Sequence, residues 1–204
     1  MPTPIHRVET DQPYICLTFD DGPIAETSRS WLELLAQTDS RVTFFDLGKN
    51  VLAEPELAKE VHAAGHEIGN HTMSHPHLPE LSFNAVRAEL TECQQLFSDA
   101  FGAAPTVFRA PFGEHSDYVW TVLKELGLPS ILGRGHDDWS PNATVEGITE
   151  NYTKGVQAGD IFILHTWQTK TLAAMPEMIR RYHAQGFQLV TISELLAAGQ
   201  PVYV

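Results

Sequence analysis

The stretch Tyr14-Ile15-Cys16-Leu17-Thr18-Phe19-Asp20-Asp21-Gly22-Pro23 decides the fold. Its first part is apolar and rich in strand-forming residues, which is typical of a buried β-strand. Two adjacent carboxylates follow, and the Gly-Pro pair after them predicts a turn. The stretch therefore predicts a buried strand that ends in two acidic side chains. A capping role for these aspartates is the alternative at this point.

Six further β-rich segments alternate with segments of helical spacing along the chain. The predicted strands cover residues 14–19, 42–47, 66–69, 106–108, 130–133, 161–164 and 188–191. The predicted helices cover residues 51–64, 82–101, 116–127 and 171–185. No repeat or linker divides the chain, so we expect one domain over residues 1–204. The alternation predicts an α/β fold with a parallel sheet and crossover helices.

Polar clusters follow five of the predicted strands. In a closed barrel such clusters converge at the carboxyl ends of the strands, whereas an open doubly wound sheet spreads them along a ridge. The pattern favours an irregular (β/α)7-type barrel, since seven units fall one short of eight. The clusters are Asp20-Asp21, His71 with His75, Arg109, Asp137-Asp138-Trp139 and His165.

Composition excludes several classes of partner. Lys and Arg total 13 against 26 Asp and Glu, for a formal charge of −13, which disfavours nucleic acid and anionic membranes. No apolar run approaches the roughly 20 residues of a membrane span. The polar N-terminus shows no secretory signal, so a cytosolic protein or a trimmed mature chain is expected. Cys16 and Cys93 both fit small buried apolar side chains.

His71 and His75 are four residues apart, a spacing found among metal ligands. Two imidazoles and one aspartate would leave coordination positions open for water and substrate. Two surface histidines in a polar loop are the alternative, because a chain with 10 histidines produces chance pairs. His62 and His66 are also four apart, and we interpret that pair as structural because a predicted helix ends between them at Gly65.

Each remaining cluster admits a chemical and a structural interpretation. The guanidinium of Arg109 could hold a carboxylate through its fork of N–H donors. The alternative is an ordinary surface arginine before a turn. Asp137 or Asp138 could orient a histidine or an arginine, and Trp139 could stack on a sugar. The alternative is a capping aspartate beside a tryptophan of the core. His165 suits a general acid, or a satisfied core histidine.

In this order, the clusters resemble the polysaccharide deacetylases of carbohydrate esterase family four. The motifs that carry the resemblance are TFDDG at residues 18–22, HTMSH at 71–75, RAPFG at 109–113, DW at 138–139 and LH at 164–165. The resemblance spans residues 14–165, and all five motifs in sequence are highly specific. It implies an irregular (β/α) barrel and hydrolysis of N-acetyl groups.

The resemblance also implies the cofactor and the reacting groups. One divalent metal ion is expected, Zn²⁺ first, with Co, Mn or Ni as alternatives. Asp20 would be the general base for the attacking water, and His165 would be the general acid for the leaving amine. The residues that would hold the metal are Asp21, His71 and His75.

Five further residues take supporting roles by the same resemblance. Arg109 would orient the general base, and Asp138 would tune the general acid. The backbone N–H of Phe112 would stabilise the oxyanion. Trp139 and Leu164 would form the wall of the pocket for the acetyl methyl group.

Three positions depart from the family pattern. Ala110 stands where proline is frequent, and Thr166 follows the general acid where Asp is often found. His136 stands in place of an upstream Asp, which leaves the tuning carboxylate ambiguous between Asp137 and Asp138. None of these departures removes a proposed ligand, base or acid.

The resulting hypotheses rank by substrate. N-deacetylation of β-1,4-linked N-acetylglucosamine in chitin or chito-oligosaccharides comes first, peptidoglycan second and acetylxylan third. A non-sugar amide hydrolase and an inactive carbohydrate-binding domain are the alternatives from other classes. We expect a monomer with a carbohydrate partner. By family analogy it acts outside the cell or at the cell wall, and a cytoplasmic location is the alternative.

Overall fold

The central strand of the fold contains residues 14–19, the segment predicted to be a buried strand. The computed structural model describes residues 2–135 and 137–204, so the interpretation of His136 lies outside the described residues. The main sheet has five parallel strands, which are β2 (Tyr14–Gly22), β3 (Thr43–Asp46), β4 (Glu67–Asn70), β5 (Ile161–His165) and β6 (Gln188–Leu189). Their order is β4-β3-β2-β5, with β6 paired to the start of β2.

Isolated parallel bridges connect the two edges of this sheet. Phe108 bridges both Asn70 of β4 and Ser130, and Arg134 bridges Phe162 of β5. The path of parallel pairings therefore leaves β2 through β3 and β4 and returns through β5, which confirms the barrel-like α/β fold. The predicted strands 106–108 and 130–133 are thus reduced to bridges. The segment leaves extended geometry at Gly133, whose φ is +90°. A side chain is also excluded at this position, because a Cβ atom would lie 2.7 Å from a backbone oxygen of β5.

A second, antiparallel sheet joins the two ends of the chain. It consists of β1 (Ile5–Glu9) and β7 (Gln200–Tyr203), and the sequence analysis predicted neither strand. β1 is short and mostly polar, and β7 contains Pro201. Because the two strands are nearly the whole chain apart, no hairpin turn signals their pairing.

The helices cover the outside of the sheet. The predicted helix 51–64 is two helices, because Pro55 cannot donate a backbone hydrogen bond and Glu54 leaves helical geometry before it. The predicted helix 82–101 begins as expected, with the Ser82 hydroxyl accepting from the Ala85 amide. The helices are α1 (Ser28–Leu35), α2 (Gly48–Ala53), α3 (Pro55–Ala63), α4 (Phe83–Phe101), α5 (Asp117–Leu126), α6 (Val145–Thr153), α7 (Thr169–Ala184) and α8 (Ile192–Ala197).

Strand alternation sends the side chains of β2 in two directions. Leu17 and Phe19 are buried against the helices, in one cluster with Trp31. Cys16 points the other way and packs with Phe45 and other residues from several strands around the barrel. Since Asp20 has the same parity as Cys16, it faces the barrel interior at the carboxyl end of the strand.

Neither cysteine forms a disulfide, and both are buried. Within residues 2–135 and 137–204, the helices are all too short or too polar to cross a bilayer.

Candidate metal centre and active site

Three predicted ligands meet at the mouth of the barrel. Oδ1 of Asp21 lies 3.4 Å from Nε2 of His75 and 3.7 Å from Nε2 of His71. One ligand atom from each side chain lies within 4.8 Å of the other two, and no other such group of three occurs in the described part of the chain. This spacing fits a single ion, and two imidazoles with one carboxylate suit Zn²⁺ or a related divalent metal.

The protonation of the two histidines suits metal binding. Nδ1 of His71 lies 2.8 Å from the carbonyl oxygen of Arg109. Because a carbonyl only accepts, Nδ1 carries the proton and Nε2 keeps its lone pair for a metal. Burial, and then the neighbouring His71, lowers the pKa of His75. The neutral imidazole that a metal requires is therefore favoured at His75.

Strained backbone is concentrated around this centre. Positive φ angles at non-glycine positions occur, in the described residues, at Asp21 (73°), Thr72 (74°), His75 (66°), Phe112 (57°) and Asp137 (55°). Four of the five line one cavity, and Thr72 lies between the two metal-site histidines. Such conformations cost about 1–3 kcal/mol each and persist where the surrounding structure requires them. Asp21 and His75 are among the five, so two of the three proposed metal ligands stand at strained positions.

Asp20 is held beside the ligand set by a buried arginine. Oδ1 of Asp20 accepts a 2.7 Å hydrogen bond from Arg109, whose side chain is 2% exposed and also donates to the Thr18 hydroxyl. Oδ2 of Asp20 lies 3.9 Å from Nε2 of His71. Burial raises the pKa of Asp20, but the Arg109 charge, the histidines and the hydrogen bond outweigh it and lower the pKa. Asp20 is thus an ionised carboxylate with one oxygen toward the metal centre.

His165, the last residue of β5, is paired with Asp138, which lies in a turn. Nδ1 of His165 donates to Oδ1 of Asp138 at 2.7 Å, and Oδ2 accepts from the His165 amide and the Thr171 hydroxyl, both at 3.0 Å. Burial lowers the pKa of His165, but the hydrogen bond and the charges of Asp20 and Asp138 outweigh it and raise the pKa. The structure thus assigns the carboxylate partner to Asp138 rather than Asp137, an assignment that the sequence had left open.

These groups share one cavity of about 670 Å³. Phe112 and Trp139 stand at its rim, 56% and 55% exposed. The structure brings together all the predicted site residues except Leu164. The predicted residues that line the cavity are Asp20, Asp21, His71, His75, Arg109, Phe112, Asp138, Trp139 and His165.

The prediction that Leu164 forms the pocket wall is wrong. Leu164 is fully buried among the residues packed beneath the helices, in one cluster with Phe19. Alternation along β5 places Ile163 and His165 on the cavity side and Leu164 on the other. Leu132 and Ile163, which are both half-buried, provide the apolar wall instead. The two-residue period counted back from His165 would have indicated Ile163.

Two residues at the site escaped the sequence analysis. Trp167 lines the cavity and donates from Nε1 to Oδ2 of Asp21 at 2.9 Å. Asp46 is fully buried, neither carboxylate oxygen has a hydrogen-bond partner in the described structure, and burial and then Asp20 raise its pKa to about 7. The position of Trp167 two residues after His165 was a signal for it. Asp46 carried none, because a buried strand residue is ordinarily apolar.

Comparison with known proteins identifies the family. The sequence profile described as polysaccharide deacetylase matches residues 7–131, more than half of the chain. The chain belongs to the polysaccharide deacetylase family. This membership confirms the resemblance and agrees with the barrel-like fold.

Two relatives within this family differ in the glycan that their names state. A peptidoglycan-N-acetylglucosamine deacetylase of Bacillus cereus is 35% identical over 196 residues, covering 93% of this chain and 91% of the relative. A chitooligosaccharide deacetylase of Azorhizobium caulinodans is 28% identical over 199 residues, covering 90% and 94%. Family membership therefore indicates a carbohydrate deacetylase and leaves the glycan open.

Two solved structures show the same polysaccharide deacetylase fold. A family 4 carbohydrate esterase from Streptomyces lividans, in complex with acetate, superimposes with a TM-score of 0.85 at 30% identity and covers 96% of this chain and 99% of its own. A CE4 family pseudoenzyme from Bacillus anthracis superimposes with a TM-score of 0.90 at 25% identity and covers 98% and 71%. Because the fold occurs with and without activity, function must be argued from the site.

Proposed function

We propose that this chain hydrolyses the N-acetyl group of N-acetylglucosamine in β-1,4-linked glycans, with one divalent metal ion as cofactor. The observation that carries the proposal is the arrangement in one cavity of a ligand set, a carboxylate and an imidazole. Asp21, His71 and His75 form the ligand set. Asp20 and His165 are the remaining two groups, and each has its own charged partner.

Amide hydrolysis needs an activated water, a stabilised oxyanion and a proton for a poor leaving group. A divalent ion in this ligand set, Zn²⁺ first and Co, Mn or Ni as alternatives, would act as a Lewis acid and lower the pKa of water. Asp20 accepts the proton of the attacking water through the oxygen that Arg109 leaves free. In the described lining of the cavity there is no serine or cysteine, so the attack is assigned to water rather than to a side chain.

The leaving amine takes its proton from His165. Its Nδ1–H is committed to Asp138, so Nε2 is the nitrogen available to the substrate. The raised pKa keeps the imidazole protonated closer to neutral pH, where a general acid is needed. We assign oxyanion stabilisation to the backbone N–H of Phe112, at the cavity rim in a left-handed conformation.

The cavity walls suit an acetylated sugar. Leu132 and Ile163 offer an apolar surface for the acetyl methyl group. The exposed ring of Trp139 offers a face for stacking on a pyranose, and aromatic rings outside the core are common in ligand sites.

Two glycans are the leading substrates. Chitin or chito-oligosaccharides come first, in agreement with the name of the Azorhizobium caulinodans relative. Peptidoglycan is the second candidate, and the name of the 35% identical Bacillus cereus relative favours it. With that relative as support, we propose action outside the cell or at the cell wall, and the monomeric state stays a prediction.

An acetate-release screen tests the proposal. Metal-loaded protein is incubated with chitin oligomers, peptidoglycan and acetylxylan, with and without a chelator. We expect chelator-sensitive acetate from the glycans that carry N-acetylglucosamine. Bound metal without acetate from any acetylated glycan would contradict the proposal, and would favour the non-sugar amide hydrolase or the inactive binding domain.

A further inference from the structure

The indole of Trp167 contacts the carboxylate that the ligand set contributes. Its Nε1 donates to Oδ2 of Asp21 at 2.9 Å. The other oxygen, Oδ1, is the one that faces His71 and His75, at 3.7 and 3.4 Å. The two oxygens of Asp21 are therefore divided, one for the metal position and one for the indole.

The chemistry of indole suits this division. An indole N–H can only donate a hydrogen bond. It therefore pairs with a carboxylate oxygen and could not accept a hydrogen bond from a protonated carboxyl group. A hydrogen bond to an ionised carboxylate is about twice as strong as a neutral one. It also occupies the oxygen that bidentate coordination would need. Trp167 therefore favours coordination of the metal through Oδ1 alone.

Both ends of the contact are held in place. Asp21 has a left-handed backbone (φ 73°), and its carbonyl accepts from Nδ2 of Asn50 at 2.7 Å. On the other side, the amide of Thr166 donates to the carbonyl of Asp20 at 2.9 Å, and its carbonyl accepts from Nε1 of Trp31 at 2.8 Å. Trp167 is thus presented from a fixed turn, although its side chain is 40% exposed at the cavity.

We propose that Trp167 is a positioning residue of the metal centre, whose indole N–H orients Asp21 and raises the affinity for the divalent ion. The inference rests on the metal site of the proposed function and on no particular substrate. Loss of such a partner of a metal ligand typically weakens metal affinity by about 10- to 100-fold.

Chelator competition with Zn²⁺ and Co²⁺ measures this affinity without any turnover. Trp167→Phe keeps an aromatic ring and removes the donor. Trp139→Phe is the matched control, because Trp139 is an exposed indole at the same rim and makes no hydrogen bond to Asp21 among the described residues. We expect the dissociation constant to rise about 10- to 100-fold in Trp167→Phe and to change less than about twofold in Trp139→Phe.

Two further measurements report on the coordination of the metal and on the folding of each variant. The visible absorption of bound Co²⁺ should change in Trp167→Phe, because the freed carboxylate oxygen alters coordination, and should not change in Trp139→Phe. Thermal unfolding of the metal-free proteins shows whether each variant folds. Trp167→Leu, which also lacks a side-chain donor, repeats the test if Trp167→Phe folds poorly.

An unchanged dissociation constant in folded Trp167→Phe would overturn the inference. Equal losses in both variants would overturn it too, because a general disturbance of the rim would then explain them. These outcomes are separate from failure of the proposed function. Inability of the wild-type protein to bind Zn²⁺ or Co²⁺ would refute both, whereas metal binding without acetate release leaves the role of Trp167 standing.

Discussion

Replacing Asp138 by Asn should shift the pH dependence of the reaction toward acid. The carboxylate of Asp138 is 1% exposed and accepts three hydrogen bonds, from Nδ1 and the amide of His165 and from the Thr171 hydroxyl. An Asn oxygen can still accept from His165, but the charge that stabilises the imidazolium is lost. The amide NH2 group must also face at least one of the donors.

The size of the effect follows from that contact. A hydrogen bond to a charged group contributes about 1.5–3 kcal/mol. Since one pKa unit corresponds to about 1.4 kcal/mol, the pKa of His165 should fall by about one to two units. A general acid acts only while protonated, so the alkaline limb of the kcat profile moves to lower pH by the same amount. At neutral pH we expect kcat to fall about 10- to 100-fold.

The same substitution should also change how the free energy of unfolding depends on pH. The pKa of His165 is higher in the folded protein than in the unfolded chain. Its contribution is therefore fully present below the unfolded value of about 6.5 and is lost as pH rises through the folded value. In Asp138→Asn this acid-side stabilisation should shrink, which thermal unfolding of the metal-free protein across pH measures.

The assay is acetate release from chito-oligosaccharides or peptidoglycan across pH, at saturating metal and substrate. Asp137→Asn is the matched control, because Asp137 lines the same cavity and is not the hydrogen-bond partner of His165. We expect its alkaline limb to stay in place. An unshifted limb in Asp138→Asn, or a shift in Asp137→Asn instead, would refute the pairing of acid and carboxylate.

Four other substitutions separate base catalysis, metal binding, core packing and substrate binding. Asp20→Asn should keep the metal and lose most turnover, and metal analysis beside acetate release checks this; full activity would contradict the assignment of the base. His71→Ala should lose the metal itself, since His71 would supply one of the three ligand atoms, and retained stoichiometric metal would count against the ligand set. Leu164→Ala should lower the free energy of unfolding by about 2–5 kcal/mol, because Leu164 is fully buried. Ile163→Ala should instead change KM for the acetylated sugar, and the opposite pattern would restore Leu164 to the pocket wall.

The parallel strands were predictable because their signals are local. Residues 14–19, 42–47 and 161–164 are short, largely apolar runs, and residues 66–69 follow a predicted helix end at Gly65. Each of these four segments overlaps a strand of the structure. The split at Pro55 was equally local, since the residue type alone forbids a helical hydrogen bond there. The antiparallel pair β1 and β7 was not local, because its hydrogen bonds join opposite ends of the chain.

The residues of the site also differ in how far local sequence could predict them. Asp20, His71 and His165 were identifiable as reactive types after buried strands, and motif order alone indicated their roles. Which way a neighbouring side chain points was another matter: Ile163 rather than Leu164 faces the cavity.

Sequence by itself determined the residue types, the order of the elements and the family. Only the tertiary structure decided that Asp138 pairs with His165, that Trp167 holds Asp21 and that Asp46 is a buried carboxyl without a described partner. The physical reason is that facing and pairing depend on left-handed residues, barrel closure and contacts between distant segments. A linear pattern of residue types does not fix the distances between side chains that come from distant segments.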